Sequence, residues 1–311
     1  MLNRTQLADT FIMVPPTQCQ FNLQTSHDNE FQEAVHLSGD EIRNKALNEF
    51  NNMVETLIDN DIKVIKFESD NDNVETPDAV FPNNWFSTTN RGELFIFTMA
   101  TENRRAEVKI EELIKKLDEH KYSVNKIIKI GDETKEQYLE GTGVVVIDHL
   151  NRNGYAASSN RCELSALNEY TALSDIEHTY TFNTKLKSGA SVYHTNVMMS
   201  IGEDFVVICD EIIDKNDHKH VMSNLQHKQN VITISAAQME KFCGNILQVK
   251  NHRSEKFIAM STSAYQAFTP DQISILEQHG EILSFDIPII QKVGGGGVRC
   301  MLAEIFLPLE Q

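Results

Sequence analysis

The stretch NVMMSIGEDFVVICD, residues 196–210, decides how the fold is read. It holds two apolar, β-rich runs, 196–202 and 205–210, with only Glu203 and Asp204 between them. Six further runs of this kind recur along the chain: KVIKF (63–67), ELFIFTM (93–99), GVVVID (143–148), VITIS (231–235), KFIAMS (256–261) and VRCMLAEIF (298–306). Helical patterns lie between them. Ser38 stands as an N-cap with Glu41 three residues on, the spacing of a capping box. Leu47, Phe50, Val54, Leu57 and Ile58 then fall on one face at helical spacing. Residues 106–117 form a second helical pattern, with lysines and glutamates on its wet side. Thr269, Pro270 and Gln272 mark a third helix start, and Gly280 its end. Strands alternating with helices over the full length indicate an α/β chain. Adjacent strand runs do not suit a doubly wound βαβ sheet; they suit several strand-rich units with one helix each.

The chain has 311 residues, 41% of them hydrophobic and 23% charged, an ordinary globular composition. That length allows one large domain or two ordinary ones. Lys and Arg number 28 and Asp and Glu 45, a net charge of −17. Such a charge repels nucleic acid and anionic membranes, so neither is an expected partner. The five cysteines are odd in number and no pair has CxxC spacing, which argues against a disulfide framework or a cysteine zinc site. The opening MLNRTQLADTFIMVPP has no apolar core of signal-peptide length. No apolar run reaches the ~18 residues of a membrane span. A soluble protein of a reducing compartment, the cytoplasm, is expected.

Five segments could carry chemistry. In Gly294-Gly295-Gly296-Gly297-Val298-Arg299-Cys300, four glycines allow positive φ and close backbone approach, and lead into a β-like run whose third residue is cysteine. No Walker lysine or GxGxxG follows, so this is no phosphate loop. It reads either as a nucleophilic cysteine at the mouth of a strand or as a loose loop before a core cysteine. Tyr193-His194-Thr195-Asn196 offers a histidine that could serve a thiol as base; taken alone it is a satisfied histidine at a strand end. Leu139-Glu140-Gly141-Thr142-Gly143 sets a carboxylate among glycines at a strand entrance, and alone is an ordinary turn. TPDAVFPNNW (76–85) holds the only tryptophan; Trp85 and Phe81 suit packing, while Asp78, Asn83 and Asn84 suit a small polar ligand. Arg104, Arg105 and Arg161 could grip carboxylates through bidentate forks, although a surface ion pair suits Arg105 better.

The order of these segments says more than any one of them. PDAVFPNNW, ENRRAEV, LEGTG, SSNRCE, YHTNVMM and GGGGVRCM follow one another in a way that resembles the pentein, or guanidino-group-modifying, superfamily. The nearest likeness is to bacterial amidinotransferase-like citrulline-utilisation hydrolases and to dimethylarginine dimethylaminohydrolases, over roughly residues 10–308. The resemblance implies a five-bladed α/β propeller of ββαβ units with pseudo-fivefold symmetry around a central channel, in a single catalytic domain over residues 1–311. It implies Cys300 as nucleophile, His194 as general acid/base and Glu140 as the carboxylate that orients the histidine or grips substrate nitrogens. Asp78 would contact substrate, Asn83 and Asn84 would occupy the place of a guanidinium-binding acidic pair, and Arg104 and Arg161 match arginines at or near the substrate α-carboxylate. Relatives that take a guanidinium usually carry a carboxylate where Asn84 stands, often another near Asn83, and arginine deiminases an aspartate where Asn196 stands.

The implied chemistry is thiolate attack on a guanidino or ureido carbon, with His194 serving the departing nitrogen and then water. It calls for no metal or other cofactor. The expected partner is a small guanidino or ureido amino acid, with a homodimer as an option. Three neutral amides at positions where relatives carry anions favour a neutral ureido group, with products running towards ornithine. An amidinotransferase, a dimethylarginine or arginine deiminase-type hydrolase, and a non-catalytic binding module are the alternatives.

Overall fold

A computed structural model describes residues 4–68 and 74–310. Its strands form five separate three-stranded sheets. Four are consecutive in the chain: β3 (Phe86–Thr88), β4 (Glu93–Phe97) and β5 (Lys126–Ile130); β6 (Val146–Asp148), β7 (Asn153–Ala157) and β8 (His178–Phe182); β9 (Met199–Ile201), β10 (Phe205–Ile208) and β11 (Asn230–Thr233); β12 (Leu247–Lys250), β13 (Lys256–Ser261) and β14 (Glu281–Phe285). The fifth joins the two ends of the chain, with β1 (Thr10–Met13) between β2 (Lys63–Lys66) and β15 (Ala303–Glu304). In each sheet the first pair of the unit is antiparallel and the second parallel. A parallel pair needs a long crossover. Helices supply it, for example Gly39–Asp59 between β1 and β2 and Lys215–Leu225 between β10 and β11. This is the expected ring of five ββαβ units.

Burial explains the elements. The middle strands β1, β7 and β10 are buried at every position and read as continuous apolar or small-residue runs. The last strands β2, β5, β11 and β14 bury only alternate or single residues, as edges do. Both halves of the Ser38–Glu41 capping box form, and so do those of the Thr269–Gln272 box. The inward stripe of the first helix is Ile42, Ala46, Phe50, Met53, Val54 and Leu57; Ile58 instead faces solvent, 53% exposed, one position past the stripe. The helical pattern over 106–117 becomes a helix only at Ile110–Glu119, which buries Leu113 and Leu117; a separate helical turn, Glu102–Arg105, lies before it. The helix begun at Pro270 closes at Leu276, before Gly280, because His279 N–H bonds back to Leu276 O at 2.9 Å.

One correction bears on the site. The runs 143–148, 196–202 and 298–306 are not strands from end to end. Each opens on a helical turn, at Gly141–Val144, Thr195–Val197 and Val298–Met301, and a similar turn, Pro82–Asn84, precedes β3. Cys300 therefore sits in a turn and not in a strand. Bonds to the carbonyl three residues back close these turns: Trp85 to Pro82, Met198 to Thr195 and Leu302 to Arg299. Asn83, Asn196 and Cys300 thus share one register in three different units. The turn at Gly141–Val144 packs against those at Pro82–Asn84 and Thr195–Val197, and the turn at Val298–Met301 against Pro82–Asn84.

The helix face can be tested directly. Phe50→Ala should lower the free energy of unfolding by about 3–5 kcal/mol, as loss of a buried ring does. Ile58→Ala should change it by less than ~0.5 kcal/mol. Urea unfolding of both variants checks this; equal losses would place Ile58 in the core.

Candidate active site

The converging turns bring the sequence-picked residues together. Cys300, His194, Glu140, Asp78, Asn83, Asn84 and Asn196 are each no more than 2% exposed. Glu140 is at the centre. Its Oε2 lies 2.7 Å from His194 Nε2, 3.3 Å from Arg161 Nη1 and 3.9 Å from Arg104 Nη1, while Oε1 accepts from Ala100 N–H at 3.1 Å. Burial alone would raise the Glu140 carboxyl; Arg161, the His194 hydrogen bond and Arg104 outweigh it and hold it well below the usual carboxylate range. An ionised Glu140 takes the hydrogen on Nε2, so the neutral imidazole keeps its lone pair on Nδ1. Burial pulls the His194 ring down to about 4, against the pull of Glu140 and with help from Arg161 and Arg104.

Glycine gives that ring its room. A Cβ on Gly143 would lie 2.9 Å from His194 Nδ1 and 2.4 Å from Asn84 Nδ2. The glycine run before Cys300 is packed, not loose: Cβ atoms on Gly294 and Gly296 would meet the Phe81 ring at 2.7 and 2.9 Å. Tyr193 O–H donates to Gly295 O at 2.6 Å, and Asn29 holds Gly294 O at 3.3 Å.

The arginines are occupied within the protein. Arg104 donates from Nε and Nη2 to Glu107 at 3.0 and 2.9 Å, from Nη2 to Phe81 O at 3.2 Å, and from Nη1 to Asn84 Oδ1 at 2.8 Å. Its fork faces Glu107, so it orients Asn84 and Glu140 and presents no fork to a substrate carboxylate. Arg161 forks onto Asp28, with Nε 3.0 Å from Oδ2, and lies over the Tyr193 ring at 5.0 Å. Arg105 is half-buried and donates to Met99 O, Ala100 O and the Tyr138 hydroxyl, away from these residues.

Several participants went unread in the sequence. Asn22, Thr25 and Asp28 belong to a polar stretch without a motif, yet Asn22 and Thr25 donate to Asp78 Oδ2 at 2.7 and 3.0 Å and Asp28 pairs with Arg161. Asn245 donates from Nδ2 to Cys300 Sγ at 3.2 Å, and Asn196 Nδ2 stands 3.5 Å from the same sulfur. Its signal was available: Gly244-Asn245 precedes β12 much as Thr195-Asn196 precedes β9. Four buried side-chain atoms among these residues have no hydrogen-bond partner: Asp78 Oδ1, Asn83 Oδ1, Asn84 Nδ2 and Asn245 Oδ1. Among the described residues no group of three or more His, Cys, Asp or Glu is placed to hold a metal, and no helix is long and apolar enough to cross a membrane.

A ring of five ββαβ units whose entry turns carry a cysteine, a histidine, a carboxylate and amides defines a pentein. The chain belongs to the eukaryotic N,N dimethylarginine dimethylhydrolase family, whose pattern it matches over residues 15–307. Solved structures agree in fold. ArgZ, an arginine dihydrolase from the ornithine-ammonia cycle in cyanobacteria, superposes with a TM-score of 0.73 at 13% identity, covering 97% of this chain and 41% of that one. The N-terminal domain of ArgZ with bound substrate superposes at 0.72 and 13% identity, covering 97% of this chain and 99% of that domain. The chain thus spans less than half of full-length ArgZ. A mutant of DDAH from Pseudomonas aeruginosa complexed with citrulline superposes at 0.65 and 15% identity, covering 96% and 100%. No curated protein sequence matches.

The buried histidine makes a pH prediction. Its ordinary value is 6.5 and the folded value about 4. Between these the unfolded chain binds more protons, so stability falls as pH falls through that window. His194→Asn should flatten the decline of melting temperature from pH 6.5 to 4. An unchanged decline would show that protonation of His194 does not drive acid unfolding.

Proposed function

We propose that this chain is a cysteine hydrolase that cleaves C–N bonds of an amino acid carrying a neutral ureido group, taken directly, as in citrulline, or formed on the enzyme from a guanidino group, as in arginine. The observation that carries this reading is the orientation of Asn84. Arginine can only donate, so the atom of Asn84 facing Arg104 Nη1 is the oxygen, and the unpartnered atom is an N–H donor. A guanidinium has five N–H donors and no acceptor to offer it. A ureido oxygen accepts from it. Asp78 Oδ1 and Asn83 Oδ1 can in turn accept from the ureido nitrogens. A buried polar group left unpaired costs about 1–3 kcal/mol, so a ligand that meets these atoms gains from each. Of the two carboxylates the sequence assigned to substrate contact, Glu140 is already spent on His194, Arg161 and Ala100 N–H, and burial raises the carboxyl of Asp78. That leaves little to compensate a cation.

In this reading Cys300 is the nucleophile. His194 Nδ1 takes the thiol proton, and sulfur bonds to the ureido carbon while the carbonyl pair moves onto oxygen. Asn84 N–H stabilises that oxyanion. Collapse expels one nitrogen, which leaves with the proton held by His194. His194 then deprotonates water, which attacks the S-carbamoyl intermediate and frees the sulfur with release of a carbamic acid, which breaks down to carbon dioxide and the remaining nitrogen. A ureido group plus one water gives amine, carbon dioxide and one ammonia; a guanidino group plus two waters gives amine, carbon dioxide and two. Asp28 holds Arg161 as a substrate α-carboxylate would, and a bound amino acid would take its place on that guanidinium.

Incubation with arginine, dimethylarginine and citrulline, separately, decides the substrate. Ornithine from citrulline supports direct use; ornithine from arginine without free citrulline supports the two-step route. Citrulline accumulating from either guanidino compound, with no ornithine, overturns the proposal. Cys300→Ser should abolish turnover, since its hydroxyl is far less acidic; substantial residual activity would move the nucleophile elsewhere. Asn84→Asp should shift kcat/KM by about tenfold towards the cationic substrate, the value of one hydrogen bond. An unchanged ratio would remove Asn84 from substrate contact.

A further inference from the structure

Asn245 precedes β12 in the fourth unit, where backbone N–H of Asn245 bonds to Phe242 O at 2.9 Å. It is 1% exposed. Its Nδ2 donates to the carbonyl oxygen of Asn196 at 2.8 Å as well as to Cys300 Sγ at 3.2 Å. A carbonyl oxygen only accepts, so the nitrogen assignment is secure and the two hydrogens of one NH2 are divided between that oxygen and the sulfur. The sulfur thus accepts from Asn245, while its own S–H faces Asn196 Oδ1 at 3.7 Å. At Cys243 the Sγ donates to Ala264 O at 3.4 Å, a shorter contact of the kind that favours the neutral thiol.

We propose that Asn245 activates the site by donating its side-chain N–H to the sulfur of Cys300, which makes the thiolate easier to form than burial alone would allow. The proposal rests on the reading of Cys300 as nucleophile. Charged and titratable neighbours do not do this work by contact. Arg299, adjacent in the chain, turns its guanidinium to Glu304 at 2.9 Å and to Leu302 O at 3.0 Å. His194 meets Glu140 through Nε2 at 2.7 Å and, as a neutral base, brings the sulfur no positive charge. Tyr193 donates its hydroxyl to Gly295 O, and burial keeps that hydroxyl protonated. Burial raises the Cys300 thiol, and the Asn245 hydrogen bond is the largest influence in the other direction, ahead of Arg299, Gly297 N–H and Asn196. Cys19, Cys162, Cys209 and Cys243 are all pushed up to about 12, with burial the largest cause in each. A neutral donor has particular value if the substrate is a ureido group. A guanidinium brings a positive charge that itself favours the thiolate; a ureido group brings none.

The test reads the sulfur without any substrate. Iodoacetamide alkylation of Cys300, quantified by mass spectrometry of its peptide across pH, reports the thiolate fraction. Asn245→Ala and Asn245→Asp should move the inflection up by at least one pH unit and slow alkylation below it about tenfold. Either variant can be read alone if the other does not fold. A merely structural role would lower the melting temperature and leave the inflection in place, which would overturn the proposal. Asn196→Ala should move it less, at the longer 3.5 Å contact; a larger shift there would reassign the role to Asn196. Failure of citrulline turnover with a shifted inflection would sink the ureido reading and leave this inference standing.

Discussion

The centre of this molecule depends on one buried carboxylate. Glu140 is fully enclosed and carries its charge among His194, Arg161 and Arg104. Burying an ion costs several kcal/mol, and only close, hydrogen-bonded partners offset it. Those partners come from different parts of the ring: Arg104 from the unit of β3 to β5, Glu140 and Arg161 from that of β6 to β8, and His194 from the turn leading into β9. Asp28, near the start of the chain, ties in through Arg161. The charge therefore does two things. It locks the units to one another, and it fixes which nitrogen of His194 bears the hydrogen. Removing any partner would strand the rest in a low-dielectric interior.

The second constraint follows from the first. Arg104 is held by Glu107 and by its attraction to Glu140, so its remaining donor dictates how Asn84 points. A long-range electrostatic arrangement is thereby converted into the orientation of a single amide. The same repeat that provides Asn83 in one unit provides Asn196 in another and Cys300 in a third. A scaffold of this kind changes its chemistry by changing the residue at an equivalent turn position while the backbone is kept.

Much of this was legible in the sequence, and the failures have physical causes. The middle strands β4, β10 and β13 were visible because burial on both faces demands apolar runs such as FVVI in β10, whereas β1 and β7 were missed, the latter because NGYAA buries small and polar residues. The edge strands β2 and β11 showed through KVIKF and VITIS, while HTYTF in β8 was hidden because it buries little and its polar residues read as loop. The turn holding Cys300 was taken for strand because VRCML is apolar apart from Arg299; the backbone bonds that curl it leave no trace in hydropathy. Motif order singled out Cys300, His194, Glu140 and the amides as candidates; all are buried, with Glu140 against His194 and Asn196 against Cys300. Arg104 was expected at a substrate carboxylate, since nothing local says that Glu107, three residues on, takes its fork. Asn22, Thr25 and Asp28 act through contacts distant in sequence, which one chain read alone does not display; Asn245 had only its place before β12 to mark it.

The most direct measurement is a crystal structure of the Cys300→Ser variant soaked with citrulline. The ureido oxygen should lie within about 3.2 Å of Asn84 Nδ2, with ureido nitrogens facing Asp78 and Asn83 and the carbon poised at residue 300. A ureido group with its oxygen turned away from Asn84, or citrulline bound nowhere near these turns, would contradict the assignment of this ring of amides to a neutral ureido substrate.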